Sequence, residues 1–323
     1  MSTATTRKQP PAMAKAIGAI VGIPIAIGLM LFAFLAPTFA SGPEDVPIAV
    51  AAPEPLVTQL TQNLGEDGPD ITVHDSDADV VSAVEHREAV GGMVITPAGA
   101  TVYTASGNGA PYTQMMEGMA AQLEAQGMEV TREDLAPTSS EDPQASGLAV
   151  LGLPLAFGGI ISAAVATFAF RGNKWAKLGV LVGIAALGSL VATWMLHSVY
   201  GTLTGSFGME WLAISLGILA TSLLTTGLAA IIGTAGVAIG AILTIFVANP
   251  LSGLATGPWL LPAGWSTLGQ WMPIGATGHL VRSLSFFDGL GAQQAWWVLA
   301  IWIVAGFALL LLDRSKRTAQ VEG

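Results

Sequence analysis

The chain has 323 residues, of which 52% are hydrophobic and only 11% charged, with a formal net charge of −10 and a mean hydropathy of +0.62. Soluble domains carry about 25% charged residues, so the composition excludes an ordinary soluble protein and describes an integral membrane protein. The absence of cysteine excludes disulfides, thiolate metal sites and cysteine nucleophiles.

The acidic residues are concentrated in one stretch. Between Ser41 and Ser146, 18 acids face only Arg87 and Arg132, a net charge of −16, while the remainder is net positive. Two physically different parts therefore share one chain.

Met1–Ala14 is short and polar, with Arg7, Lys8 and a Pro10-Pro11 break, and Lys15 stands at the lip of the next segment. Ala16–Leu35 is an unbroken apolar run of about 20 residues, enough to cross a hydrocarbon core of about 30 Å. Pro24 is expected only to kink it. Thr38-Phe39-Ala40 before Ser41 is similar to a signal-peptidase site. The run exceeds the roughly 7–15 residues of a leader's apolar region, however, which favours a retained anchor. Gly18 and Gly22 form a GxxxG pair that permits close helix contact.

Ser41–Ser146 reads as a small extracytoplasmic α/β domain. Strands are expected at Val46–Val50 and Ile71–Val73, with a helix from about Glu54 to Asn63 between them. Asp77–Arg87 has helical spacing, with Val80, Val81 and Val84 turned inward. Val90–Thr96 and Ala100–Thr104 suggest a hairpin across Pro97-Ala98-Gly99, followed by a helix over Tyr112–Gln126 and a strand at Met128–Thr131. Strands alternating with helices imply a mixed sheet covered by helices. Within this segment Asp75, Asp77 and Asp79 begin like a calcium loop, but that loop needs Gly at its sixth position and Glu at its twelfth. Val80 and His86 stand there, so Ser76 or Asp77 reads better as a helix cap with acids at the positive end of the dipole.

The membrane block follows. Spanning helices are expected at Leu148–Phe170, Leu178–Tyr200 and Ala295–Leu312. Trp211–Ala248 is too long for one and reads as a tight hairpin turning near Ile231–Gly236. With Ala16–Leu35 this makes six crossings. Lys and Arg are retained on the cytoplasmic side, and Arg7, Lys8 and Lys15, then Arg171, Lys174 and Lys177, then Arg314, Lys316 and Arg317 fall on one side of a six-crossing chain. Both termini are therefore expected in the cytoplasm of a plasma-membrane protein, with residues 41–146 outside. The domain plan is 1–40, 41–146, 147–313 and a tail at 314–323.

Little chemistry is spelled out. No glycine precedes a lysine, so a phosphate-cradling GxxxxGK[ST] loop is absent and any ATP hydrolysis must come from another polypeptide. His74, His86, His197 and His279 have no GxSxG elbow beside them, and neither an enzyme nor a cofactor is expected. His197 reads as a hydrogen-bonded interfacial residue. Ser215, Ser222 and Thr226 share one helix face, either lining a polar path or knitting helices together. Gly236 and Gly240, with Gly179 and Gly183, favour tight packing and a dimer seam.

Asn249–Gly289 is too broken by Gly and Pro for a spanning helix and too apolar for a free loop. Unpaired backbone in lipid costs several kcal/mol per group, so the stretch must be interfacial or buried between helices as a re-entrant element. Trp259, Trp265 and Trp271 recur every six residues, as expected of a belt at headgroup level. Arg282 is the one basic residue of this block away from the cytoplasmic clusters, and an ionisable group at membrane depth is a functional candidate. It either guides an anion, snorkels to headgroups or pairs with Asp288. The candidate substrate path is thus Ser215, Ser222, Thr226, His279 and Arg282.

From Asn249-Pro250-Leu251-Ser252-Gly253 through Leu261-Pro262, Trp265, Leu268-Gly269, Pro273 and Gly275 to Arg282-Ser283 and Phe286-Phe287-Asp288-Gly289, the run resembles the outer re-entrant region of ABC-2-type permeases. More narrowly it is similar to actinobacterial relatives of the phage-infection-protein-like branch. The strand at Val46–Val50 and Asp142-Pro143 before the second span fit the same branch. The resemblance implies a homodimeric export permease for lipids, polymers or hydrophobic compounds, working among membrane lipids with a separate ATPase and no nucleic acid. A non-transport envelope scaffold or secretion-machinery component is the alternative it implies. Such permeases dock their ATPase through an N-terminal interfacial helix and the loop after the second helix. Here those pieces are only Met1–Ala14 and Arg171–Lys177, the latter carrying Trp175.

Overall fold

The computed structural model describes residues 12–39, 42, 46–64, 68–262 and 264–312. Arg7, Lys8, Pro10-Pro11, Ala40 of the leader-like site and the cluster Arg314, Lys316 and Arg317 lie outside them, as does the side chain of Lys15.

Helix α1 (Ala12–Phe39) precedes a sheet domain built as its alternating pattern predicts. Its elements are β1 (Pro47–Ala51), α2 (Glu54–Leu64), β2 (Asp70–Val73), α3 (Asp77–Glu85), β3 (Gly91–Thr96), β4 (Gly99–Thr104), α4 (Ala110–Ala125) and β5 (Val130–Asp134). The sheet order is β2-β1-β3-β4-β5, parallel except for the β3–β4 hairpin. Successive side chains of a strand face opposite ways, and β1 uses both faces. Ile48 and Val50 join Met93, Val102 and Met116 under α4, while Ala49 and Ala51 join Val80, Val84 and Tyr103 under α3. Ser76 caps α3: its hydroxyl accepts from the Asp79 amide at 3.3 Å and donates to the Asp79 carboxylate at 2.6 Å. Asp77 accepts from the Tyr103 hydroxyl at 2.8 Å, so two of the three spaced aspartates have structural partners.

Among the described residues, five helices are long and apolar enough to cross a membrane: Ser146–Ala169, Lys174–Val199, Phe207–Ile232, Thr234–Leu251 and Gln293–Leu311. The first comprises α5 (Ser146–Val150) and α6 (Gly152–Ala169). Its start is fixed by Asp142, which accepts from the Ser146 and Gly147 amides and from the Thr202 hydroxyl at 2.8 to 2.9 Å. At 1.5 Å per residue the 24-residue span ends about 36 Å from the sheet domain. Helix α7 (Lys174–Thr193) returns and widens at Trp194–Val199 into a π-helical turn. Helix α8 (Phe207–Ile232) leaves again, and Gly233, at φ 71°, reverses the chain into α9 (Thr234–Ile242), inside the window expected for the hairpin. A second π-helical turn, Leu243–Ala248, leads into α10 (Asn249–Leu251).

The interrupted stretch then breaks into α11 (Trp265–Gln270) and α12 (Pro273–Phe286), before α13 (Gln293–Leu311) departs. In α12 every residue except His279 and Leu284 is buried. It is wedged between α8, α13 and the Ser106–Asn108 turn of the sheet domain.

Helix α8 is the hub, packed against α6, α7, α9, α12 and α13. Small residues sit at the crossings, where they let backbones approach. An added Cβ at Gly159, Gly217, Gly240 or Gly306 would strike Thr221, Thr277, Thr225 or Leu223. Gly236 likewise lies on Ala229, so Gly236 and Gly240 are used inside the chain rather than at a seam, whereas Gly179 and Gly183 face open space.

The apolar core does not stop at the sheet domain. One cluster runs from Ala49, Val80 and Val84 through Phe286, Phe287 and Val281 to Leu155, Ile214 and Leu299. The acidic domain and the bundle share this core.

Candidate functional site

The junction of sheet domain and bundle brings together two arginines that lie far apart in sequence. Arg87 occupies the turn that ends α3. The amides of Glu88 and Ala89 both reach back to the Ala83 carbonyl, and that of Arg87 reaches Val84. Such a helix end places its reversing residue in the left-handed region, where glycine is usual. Here Arg87 takes it, at φ 61°, at a conformational cost of about 1–2 kcal/mol. The strain aims a long cation down into the junction. Its Nη1 donates to the His279 carbonyl at 2.9 Å and to the Ser283 hydroxyl at 2.7 Å, and its Nε to Asn108 at 3.4 Å. The guanidinium lies 5.1 Å from the centre of the Phe287 ring.

Arg282 approaches from α12 and donates through Nη1 to the Gly107 carbonyl at 2.7 Å. Both arginines are 5% exposed, and among the described residues neither has a carboxylate partner. Burial, and then the neighbouring Arg282 charge, pushes Arg87 down to about 9. An arginine keeps its proton regardless, so two buried positive charges stand uncompensated, an arrangement that is strongly unfavourable without an anion.

Arg87 also lines a cavity of about 370 Å³. Its walls include Trp259, Thr267, Gln270, Trp271, His279 and Gln294, so α11, α12 and α13 each contribute. His279 donates through Nε2 to the Gly291 carbonyl at 3.1 Å, which fixes that nitrogen as the protonated one. Gln270 donates its amide nitrogen to the Ser252 carbonyl at 3.0 Å, and its amide oxygen is buried without a partner. The fit of the two parts is close. A Cβ at Gly291, itself at φ 69°, would collide with the His86 carbonyl, and one at Gly107 would enter the Phe286 ring. On the other face of the sheet, the Tyr112 hydroxyl accepts from the Trp259 amide at 3.0 Å.

A second polar network lies nearby. Glu210, fully buried in the first turn of α8, accepts from His197 Nδ1 at 2.8 Å, the Gly205 amide at 2.9 Å and the Ser285 hydroxyl at 2.8 Å. It ties the π-helical turn of α7 to the end of α12. His197 is hydrogen-bonded, as its position suggests.

The structure separates the sequence candidates into two groups. His279 and Arg282 share α12 and the junction. The α8 hydroxyls do not join them. Ser215 meets Ser189 of α7 at 2.5 Å, Ser222 bonds the Leu219 carbonyl of its own helix, and the buried Thr226 hydroxyl has no partner. Of the three, Ser215 alone joins two helices. Arg282 neither snorkels nor pairs with Asp288. Helix α12 turns it onto the domain, while Asp288 lies past the helix end at φ 52° and is exposed. Sequence reasoning missed Arg87, Gln270 and Glu210. The one available signal was that Arg87 is among only two cations in the acidic segment.

Comparison with protein-family models, curated proteins and solved structures returns no match.

Proposed function

We propose that the chain is the membrane permease subunit of an ABC-2-type exporter, moving lipid, polymer or hydrophobic compounds outward with a separate ATPase. The observation that carries this reading is the cation-lined cavity at the foot of the sheet domain, beside Trp259 and Trp271, residues that favour the headgroup level. An amphiphile leaving the bilayer presents a charged head at that depth. In this reading α1 is the sixth crossing and residues 249–289 form the outer re-entrant lip. The acidic domain is extracytoplasmic, because Arg171, Lys174 and Lys177 stand at the far end of the bundle, where cations are retained in the cytoplasm. At that end Trp175 is 62% exposed on the first turn of α7, a knob for an ATPase. The open face at Gly179 and Gly183 offers a seam for a second copy.

One observation favours a static envelope scaffold instead: the single apolar core through domain and bundle holds the two in fixed relation. Purification in mild detergent separates the readings. An exporter retains an ATPase whose hydrolysis is lost on Trp175→Ala, and drives ATP-dependent efflux of amphiphile from vesicles. Absence of both ATPase and efflux from a well-folded preparation would overturn the permease reading and leave the scaffold.

A further inference from the structure

The junction cavity has the donor and acceptor set of a particular ligand chemistry. Arg87 lines it, and its Nη2 makes no hydrogen bond among the described residues, while Nε and Nη1 are held by Asn108, His279 and Ser283. That leaves a forked cation with one arm fixed and the other unused. The ligand group that satisfies such an arm is a phosphate or carboxylate oxygen, since guanidinium geometry matches those anions. Thr267 and Gln294 line the same cavity with exposed polar side chains, which pair with hydroxyl groups. The cavity therefore suits one molecule with an anionic group and a neighbouring hydroxyl. Its volume of about 370 Å³ holds a glycerol- or sugar-sized phosphate, and Trp259 and Trp271 in its wall are of the residue type that favours the level where acyl chains meet headgroups.

We infer that this cavity binds a polyol-phosphate headgroup, with Arg87 on the phosphate and Thr267 and Gln294 of the cavity wall pairing with polyol hydroxyls. A choline headgroup carries a phosphate but no hydroxyl and adds a positive charge facing Arg87, so it is disfavoured. As the substrate class of an exporter the inference rests on the permease reading. As a binding site it stands on the cavity alone.

The experiment uses the full chain in detergent without any ATPase, so that loss of export cannot be mistaken for loss of binding. Phosphatidylglycerol, phosphatidylcholine of the same acyl chains, and glycerol 3-phosphate are titrated, with bound lipid read by native mass spectrometry and stability by thermal melting. Phosphatidylglycerol is expected to bind at least tenfold tighter than phosphatidylcholine and to raise the melting temperature. Arg87→Lys retains part of the preference, because it keeps the charge and loses the fork. Because Arg87 is buried, exposed residues on the cavity rim supply the fold-safe variants. Gln294→Glu and Thr267→Asp bring a negative charge to the mouth and are expected to weaken phosphatidylglycerol at least tenfold at an unchanged melting temperature. Glycerol 3-phosphate displacing the lipid at equal or lower concentration would support the same chemistry and assign its source to solution. Equal binding of the two lipids, or full binding by both rim variants, would overturn the inference.

Discussion

Glu210 is the sharpest test of how the bundle is held together at its domain end. It is fully buried and accepts three hydrogen bonds, from His197, Gly205 and Ser285. Because a carboxylate only accepts, His197 Nδ1 carries the proton in that bond. Replacing Glu210 by alanine removes the acceptor from all three donors and opens a void in the first turn of α8. Each orphaned buried donor is worth about 1–3 kcal/mol, and breaking a buried polar pair typically costs about 3–5 kcal/mol. We therefore expect Glu210→Ala to lose about 3–5 kcal/mol. Glu210→Gln behaves differently. Its amide oxygen keeps the Gly205 and Ser285 bonds, and its amide nitrogen donates to His197 once the imidazole adopts its other tautomer, so about 1 kcal/mol is lost. Unfolding in detergent by a denaturant titration at neutral pH, read by tryptophan fluorescence, gives both values. His197→Ala should make the glutamine and glutamate forms nearly equal, since the pair they differ over is gone. If Glu210→Ala unfolds with the wild type, or Glu210→Gln is as damaging as alanine, the network does not bear on stability and the reasoning fails.

Asp142 supplies the acid sensitivity. Burial raises its pKa, but the amides of Gly147 and Ser146 and the Thr202 hydroxyl outweigh it and hold the carboxyl below its ordinary value. A depressed folded-state value adds stability above the unfolded value of about 3.9, and that stability is lost as pH falls through the folded one. Melting temperature should therefore drop below about pH 4 in the wild type, with a smaller drop in Asp142→Asn; identical acid profiles would refute the assignment. Thr226→Val probes the α8 stripe. The hydroxyl is buried and unpartnered, so removing it should leave stability unchanged or raise it by up to about 1 kcal/mol and leave any efflux intact. Lost efflux in a stable Thr226→Val protein would restore the polar path through α8.

What could be read in the sequence was whatever a local pattern dictates. The strand and helix periods of the acidic segment place all five strands, because alternation and helical spacing act within a few residues. Ser76, one of the two cap candidates beside Asp77, follows from the same local logic, and Gly233 falls inside the expected turn because only a chain reversal divides an apolar run too long for one span. The site was not legible in that way. Helix α12 is buried nearly all round, so its composition has no periodic face to show which side meets the domain. For Arg282 the sequence left an anion, the headgroups and Asp288 as open alternatives, whereas its partner is the Gly107 carbonyl, 175 positions away. Arg87 was hidden for the opposite reason: it sits where a helix-ending glycine belongs, and the spacing of Val80, Val81 and Val84 reads it as the last residue of a helix. Only tertiary packing turns that residue onto His279 and Ser283. The arrangement is informative because it is unfavourable by itself. A strained backbone and two buried like charges, with no carboxylate partner among the described residues, do not improve folding. The anion inferred for the junction would offset both charges.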